Sequence, residues 1–255
     1  MRIWLVVIAA AVAMLAGCVV VSEVPEQAPS PPSQGQGSDG GGGGDGGGDG
    51  DGYAFVHVLD DGEPVRWSTC EPIRYVVRPD NEPEGARALL EESLERIAEA
   101  TGLEFEDAGS TDEAPAQRRR LYQPDRYGDR WAPALIAYSN PEEDDRLSGR
   151  AAGYGGPAFV SVGGGTPRNV SGSVVFDVDR MTSMGGDGAV RAVMLHELAH
   201  LIGLAHVDDR DQLMNPVLYG SQVTDLQEGD LAGLEILGDG ECYPPIEPRS
   251  IRDSG

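Results

Sequence analysis

Five short runs of β-branched, aromatic and aliphatic residues, bounded by polar, Gly or Pro positions, predict strands along the chain. The predicted strands lie at residues 73–77, from 103–105 onward, and at 134–138, 158–162 and 173–178. Gly-rich and acidic loops separate the later runs, where turns are expected. The pattern therefore predicts a sheet of five strands.

Apolar residues at helical spacing predict two long helices, the first between the first two strands and the second after the fifth strand. The residues that share one face of the first helix are Ala86, Leu90, Leu94 and Ile97. Asp80 or Asn81 is expected to cap its start, and Gly102 to end it. The second helix spans about residues 189–202.

A third helix is predicted from about residue 225 to 237. A capping box of Thr224 and Gln227 would open this helix, and Gly238 would end it. Two helices packed on a mainly parallel sheet, followed by a third helix, form the simplest assembly. The sequence thus predicts one α+β fold with α/β-like character.

The first eighteen residues have the pattern of an export signal. Arg2 supplies the charged start, and an apolar run too short to span a bilayer comfortably follows it. The run closes on the tetrapeptide LAGC at residues 15–18, which resembles the bacterial lipobox. Cys18 is then the predicted site of lipid attachment, and an ordinary signal with a chance cysteine is the alternative.

A change of composition divides the rest of the chain. Residues 19–52 pass from Pro and Ser to a tract of Gly and Asp with almost nothing apolar to bury, so a disordered linker is predicted. Residues 53–245 have a globular composition and the length of one domain. Residues 246–255 are predicted to form a flexible tail.

The charge of the chain excludes one class of partner. Its formal net charge is −24, and binding to nucleic acid depends on clustered basic residues. The only basic cluster, Arg118, Arg119 and Arg120, is expected on a solvated loop beside carboxylates. We therefore expect no nucleic acid partner.

The cysteines fit an oxidising compartment. If Cys18 carries a lipid, Cys70 and Cys242 remain, an even number that allows one disulfide. Two free thiols are the alternative.

The segment HELAHLIGLAH carries the candidate chemistry. His196 and His200 lie four residues apart on one helix face, so their imidazoles can share one zinc ion. Glu197 flanks that site, where a general base for water is needed. Gly203 can take a positive φ and end the helix, which lets His206 return as a third ligand and leaves one position for water.

The same helix has an apolar face, so a core helix that happens to contain histidines is the alternative. The extended pattern fixes five positions, and it would arise by chance in a chain of this length on the order of once in ten thousand. Three of the four histidines lie within it. We therefore interpret the segment as a catalytic zinc site.

HELAHLIGLAH, followed eight residues later by Met214 in LMNP, resembles the zinc-binding motif and Met-turn of the metzincins. Pro216, two places after Met214, makes the chain most similar to the matrixins within that class. The third predicted helix also resembles the helix that closes a matrixin catalytic domain. The resemblance covers roughly residues 65–238.

This resemblance implies a zinc endopeptidase with one catalytic Zn²⁺. It also implies a twisted five-strand mixed sheet with one antiparallel edge strand, an active-site helix, a backing helix and a C-terminal helix. Residues 158–162 or 153–157 would form the edge, along which an extended peptide binds. Met214 would lie under the zinc as a hydrophobic floor.

Two features depart from the matrixin pattern. No PRCG-like cysteine precedes the domain, and Cys70 lacks that context, so latency through a thiolate on zinc is not implied. Tyr219 lies five residues after the Met, where matrixins commonly have a Tyr at four. Matrixins also bind structural Ca²⁺, for which the acidic residues at 142–145 or 208–211 are candidates, although acidic loops are commonly only solvated.

Residues and resemblance together predict an endopeptidase that hydrolyses peptide bonds in extracellular proteins. We expect it at the outer face of a bacterial cell membrane, held by its lipid, or secreted. We expect a monomer with protein or peptide substrates and no membrane contact except through the lipid. The alternatives are a non-catalytic surface protein that binds peptides or wall components, and a zinc amidase that acts on wall crosslinks.

Overall fold

The structure of the protein is a computed structural model that describes residues 20–21, 52–149, 151–161, 165–217 and 222–248. Cys18 and Tyr219 lie outside the described residues. Lipid attachment at Cys18 therefore stays a prediction. Within the described ranges, no helix combines the length and the apolar character needed to cross a bilayer.

A mixed β-sheet forms the centre of the domain. Its strands are β1 Val20–Val21, β2 Ile73–Arg78, β3 Phe105–Ser110, β4 Ala134–Ser139, β5 Gly153–Ser161 and β6 Arg168–Asp177. In the described part of the chain the order across the sheet is β1-β5-β6-β4-β2-β3. Strands β3, β2, β4 and β6 run parallel, and β5 is antiparallel to β6. The predicted five-strand mixed sheet is confirmed, and β1 adds two residues at the end of β5.

The edge strand β5 is longer than the sequence indicated. The two alternatives for the edge, residues 153–157 and 158–162, belong largely to this one strand. Its first half contains Gly153, Gly155 and Gly156, which have low strand propensity, so the hydrophobic pattern did not reveal it. Gly155 is required by packing, because a Cβ there would overlap the backbone of Glu197.

Three helices, α1 Ala86–Thr101, α4 Asp187–Ile202 and α5 Glu228–Gly238, form the main core with one face of the sheet. Two short helices are α2 Pro124–Tyr127 and α3 Val178–Ser183, and Tyr127 of α2 packs on the opposite face of the sheet. Helices α1 and α4 pack side by side, and α5 packs against both. Leu90 and Ile97 of α1 and Leu198 of α4 are fully buried in the main core, together with Val77 and Ile136 from the sheet. The two long helices and the C-terminal helix are therefore where the sequence predicted them.

The predicted starts of two helices are wrong. Helix α1 begins after Gly85, and neither predicted residue caps it: Asp80 forms an ion pair with Arg78, and Asn81 has a φ of 63°, outside the extended region typical of a cap. The capping box of α5 is formed by Gln227 and Asp230, three residues later than the predicted box.

A long connection between β3 and β4, residues 111–133, is held by a buried ion pair. Arg119 is 6% exposed and donates hydrogen bonds to both carboxylate oxygens of Glu113, at 2.9 and 2.8 Å. It also donates to the Ser171 hydroxyl and to the carbonyl oxygens of Gly172 and Pro133. The prediction that this basic cluster is solvated is therefore wrong for Arg119, since a run of three arginines does not reveal which one turns inward.

Glu113 is held in its ionised form by this network. Burial alone would raise the pKa of its carboxyl, but hydrogen bonds from Arg119, the Arg119 charge, and hydrogen bonds from Tyr127 and Gln123 outweigh burial and lower the pKa. The pair therefore links the connection to strand β6 as a fully satisfied polar group inside the fold.

The C-terminal residues are tied to the start of β2. Cys70 and Cys242 form a disulfide. The Arg168 guanidinium lies 3.6 Å from the ring centre of Tyr243, and the Trp131 indole N–H donates to the Ile246 carbonyl at 2.5 Å. Ile246, where the sequence predicted the start of the tail, thus still contacts the domain.

Replacing Arg119 with Leu is expected to lower the free energy of unfolding by about 3–5 kcal/mol, because Glu113 would remain buried without its partner. Urea denaturation measures the change. Arg120→Leu is the matched control: Arg120 is exposed, and its replacement should change stability by about 0.5 kcal/mol or less. Equal stabilities for the two variants would contradict the structural role of the pair.

Candidate active site

Three imidazoles converge at the end of helix α4. The Nε2 atom of His206 lies 3.1 Å from Nε2 of His196 and 3.1 Å from Nε2 of His200. The candidate ligand atoms of the three residues all lie within 4.8 Å of one another. Across the described ranges, no other group of three or more His, Cys, Asp or Glu side chains is placed to hold a metal ion.

The chain reverses after helix α4 to bring the third imidazole back. Gly203 has a φ of 134°, a backbone conformation that other residues rarely adopt. The N–H groups of Gly203 and Leu204 both donate to the Ala199 carbonyl, which closes the last turn. His196 and His200 lie on the final turns of the helix, and His206 lies three residues beyond the glycine. The structure therefore brings together the three histidine side chains that the sequence predicted to converge.

Backbone carbonyls orient two of the rings. The Leu213 carbonyl lies 2.8 Å from Nδ1 of His196, and the Leu204 carbonyl lies 2.6 Å from Nδ1 of His200. A carbonyl can only accept, so each Nδ1 carries the proton, and each Nε2 presents its lone pair to the centre of the cluster. This arrangement prepares both rings to bind a metal.

All three imidazoles are held neutral. Burial, followed by the repulsion of His206, lowers the pKa of His196 to about 3. Burial and the two neighbouring histidines lower the pKa of His200 well below its usual value, and burial lowers that of His206. Neutral imidazole is the form that binds a metal, so no proton has to be removed at neutral pH.

Glu197 lies beside the histidines with a free acceptor. Its side chain is buried, and its Oε2 atom has no hydrogen-bond partner. Burial raises the pKa of this carboxyl to about 8 in the absence of a cation. A divalent cation held by the histidines would favour the ionised carboxylate and lower this pKa.

Strand β5 passes directly over Glu197. A Cβ at Gly153 would lie 3.0 Å from Cγ and 3.2 Å from Oε1 of Glu197. Glycine at positions 153 and 155 therefore lets the strand backbone approach the helix at the carboxylate, and it keeps side chains out of that space.

Met214 and its neighbours form a turn that a buried carboxylate holds in place. Met214 is 1% exposed and belongs to the main core. The Asp230 carboxylate accepts hydrogen bonds from the N–H groups of Leu213 and Met214, at 2.7 and 3.1 Å. Because Leu213 orients His196 through its carbonyl, Asp230 supports the metal site from helix α5. Sequence reasoning missed this residue, since only its predicted place in the last helix was visible.

The histidine cluster fits a zinc ion. Its donors are three neutral imidazole nitrogens, two of them fixed by carbonyls, which is the ligand number of zinc sites that keep one position for water. The structure gives no support to calcium at residues 142–145, because Asp144 pairs with Arg146 and Glu143 pairs with Arg78. At the other candidate run, the Asp209 carboxylate accepts hydrogen bonds from Asp211 and Gln212.

Comparison with known families agrees with this geometry. Residues 149–237 match the family model of the matrixins, a family of peptidases. The match begins just before β5 and ends in α5, so it contains the three histidines, Glu197 and Met214. A search of curated proteins finds no match to the chain.

Fold, site and family match together define the class of the protein. A mixed sheet over an active-site helix, three converging histidines and a methionine turn are the features of a metzincin. The domain is similar to the matrixin-like metzincins, and the family match supports a zinc metallopeptidase.

The stability of the metal-free protein is expected to fall as the pH falls from 6.5. An unfolded histidine binds a proton near pH 6.5, whereas folded His196 does so only near pH 3. At His196 the unfolded state therefore binds more protons in this interval, so this histidine destabilises the fold as the pH falls; the lowered pKa values of His200 and His206 act in the same direction, and the raised pKa of Glu197 acts in the opposite one. His196 alone should contribute a loss of about 1.6 kcal/mol between pH 6.5 and 5.

Urea denaturation of chelator-treated wild-type protein and of a His196→Leu variant checks this value. The wild type should lose more stability between the two pH values than the variant. Parallel losses in the two proteins would contradict the burial of neutral His196.

Proposed function

We propose that the protein is an endopeptidase that cleaves proteins or peptides outside the cell, with Glu197 as the residue that moves the proton. The observation that carries the proposal is the position of this buried carboxylate. Glu197 follows the ligand His196 on helix α4, lies under strand β5, and has a buried carboxylate oxygen without a hydrogen-bond partner.

The bound zinc would supply Lewis acid chemistry, which polarises a peptide carbonyl and makes water a better nucleophile at neutral pH. His196, His200 and His206 would hold it. Glu197 would take the proton of the attacking water and then give it to the leaving amine. Met214, which is buried in the main core, would form the hydrophobic floor of the site and keep bulk water from that side.

The edge of β5 supports an extended peptide as substrate. One side of β5 pairs with β6, and in the described part of the chain the other side pairs only at residues 160 and 161, with β1. The segment from Gly153 to Phe159 therefore presents unpaired backbone groups next to Glu197. An extended peptide can add as a strand there and continue past the site in both directions, which favours cleavage within a chain over cleavage at its end.

Replacing Glu197 with Gln should lower the rate of hydrolysis of a quenched fluorescent peptide by about a hundredfold or more, because the proton acceptor is lost. Zinc content, measured by metal analysis, should stay at one per chain. Glu95→Gln is the matched control, since Glu95 is an exposed acid on helix α1. Chelation of the wild type should abolish cleavage, and added zinc should restore it.

Three results would contradict the proposal. Near-wild-type turnover by Glu197→Gln would show that Glu197 is not the residue that moves the proton. A wild type that loads zinc but cuts no protein or peptide would favour a binding protein. Cleavage of wall crosslinks without cleavage of peptides would favour an amidase.

We also propose that lipid on Cys18 holds the enzyme at the outer face of the cell membrane. The support is the LAGC sequence at the end of the export signal, followed by a linker of Gly and Asp. A Cys18→Ala variant should move from the membrane fraction to the soluble fraction, as measured by immunoblotting after fractionation. An unchanged distribution would mean that the chain is not anchored through this cysteine.

A further inference from the structure

The first residues of the folded domain lie against the loop that carries the third histidine. Residues 52–56, here called the N-terminal brace, run antiparallel to residues 203–205. The Val56 N–H donates to the Gly203 carbonyl at 2.8 Å, and the Ala205 N–H donates to the Ala54 carbonyl at 2.8 Å. Both hydrogen bonds flank the bridge between Phe55 and Leu204.

Helix α5 packs closely on both the brace and this loop. A Cβ at Gly233 would lie 2.7 Å from Cδ2 of Leu204 and 2.8 Å from Cβ of Tyr53. A Cβ at Gly229, one turn earlier, would overlap the backbone of Gly52. The helix therefore has no side chain at the two points where the brace crosses it, and α5 packs directly on both the brace and Leu204 of the loop.

Leu204 connects the brace to two of the metal ligands. Its carbonyl orients the His200 ring, at 2.6 Å from Nδ1. Its position after Gly203 also sets where the chain leaves the reversal, and so where His206 lies two residues later. A group that fixes Leu204 thus acts on both imidazoles without touching either.

We propose that the N-terminal brace is a positioning element of the metal site, whose pairing with residues 203–205 maintains the convergence of His200 and His206. The three histidines supply the ligands, and the brace determines how tightly they bind. Groups that orient metal ligands typically change metal affinity by about 10–100-fold. The proposal rests on zinc binding by these histidines and does not depend on which substrate is cut.

Thermodynamic linkage between zinc binding and the pairing of the brace gives a test on the wild-type protein. If the brace favours metal binding, then zinc must favour the brace to the same extent. Hydrogen exchange of the full chain, with and without zinc, should therefore show slower exchange at the Val56 and Ala205 amides when zinc is bound. The Leu59 amide is the internal control, because it donates to the Glu63 carbonyl at 2.8 Å within the neighbouring turn, away from the loop.

Two variants of one residue separate the backbone bond from the side chain. Val56→Pro removes the N–H that donates to Gly203, whereas Val56→Ala keeps it. Zinc affinity, measured by competition with a chromogenic chelator, should be about tenfold or more weaker in Val56→Pro, and Val56→Ala should stay close to the wild type. The visible absorption of cobalt-loaded Val56→Pro should shift toward that of His206→Ala, a change that a loss of general stability would not produce.

Gly233→Ala disturbs the packing of α5 on Tyr53 and Leu204, so it tests the same element if Val56→Pro does not fold. It should weaken zinc binding, and Glu235→Ala, on the exposed face of the same helix, should not. Equal zinc affinity in folded Val56→Pro or Gly233→Ala and in the wild type, or identical Val56 exchange with and without zinc, would overturn the proposal. A wild type that fails to load zinc would overturn the proposed function as well, which distinguishes the two failures.

Discussion

Three imidazoles must remain neutral, face one point and stay largely out of water, and the rest of the structure serves this requirement. The rings lose hydration on burial, and burial is the main cause that lowers the pKa of each one. Their nitrogens would be poorly compensated if the cluster merely filled a core. A metal ion held by the three nitrogens would supply the missing interaction, so the burial that is costly without a metal prepares the site to bind one.

Two kinds of contact turn this cluster into a defined site. Carbonyls of Leu204 and Leu213 orient two of the rings from loops on either side of His206. Each loop is in turn held from outside, the first by the N-terminal brace and the second by the Asp230 carboxylate. Helix α5 contributes to both supports. Gly229 and Gly233, which have no side chain, let the brace pack on the helix, and Asp230 binds the backbone of the loop that contains Leu213. The C-terminal helix therefore acts on the metal site although it carries none of the ligands.

The sequence predicted the parts of this arrangement that depend on local spacing. Four-residue periodicity places His196 and His200 on one face, and a glycine one turn later predicts the reversal. Contacts between residues that lie far apart in the sequence could not be predicted from local spacing. The start of α1 was misplaced because Arg78 engages the expected cap, and Arg119 was expected in solvent because its partner Glu113 lies outside the run. Asp230 was missed because its role depends on a turn seventeen residues earlier.

On the outer side of the sheet, ion pairs involve the acidic loop at residues 142–145, which the sequence offered as a candidate calcium site. Asp144 accepts hydrogen bonds from Arg146 and Tyr154, and the Arg146 guanidinium lies 4.2 Å from the Tyr154 ring centre. Tyr154 belongs to β5, between the two glycines that pack on Glu197. The acidic loop at residues 142–145 is thereby attached to the strand that forms the edge of the site, by groups whose charges are already balanced. In the described part of the chain, the histidine cluster is thus the group of side chains placed to hold a metal ion, while the strand along which a peptide would bind is attached to the acidic loop by the protein's own side chains.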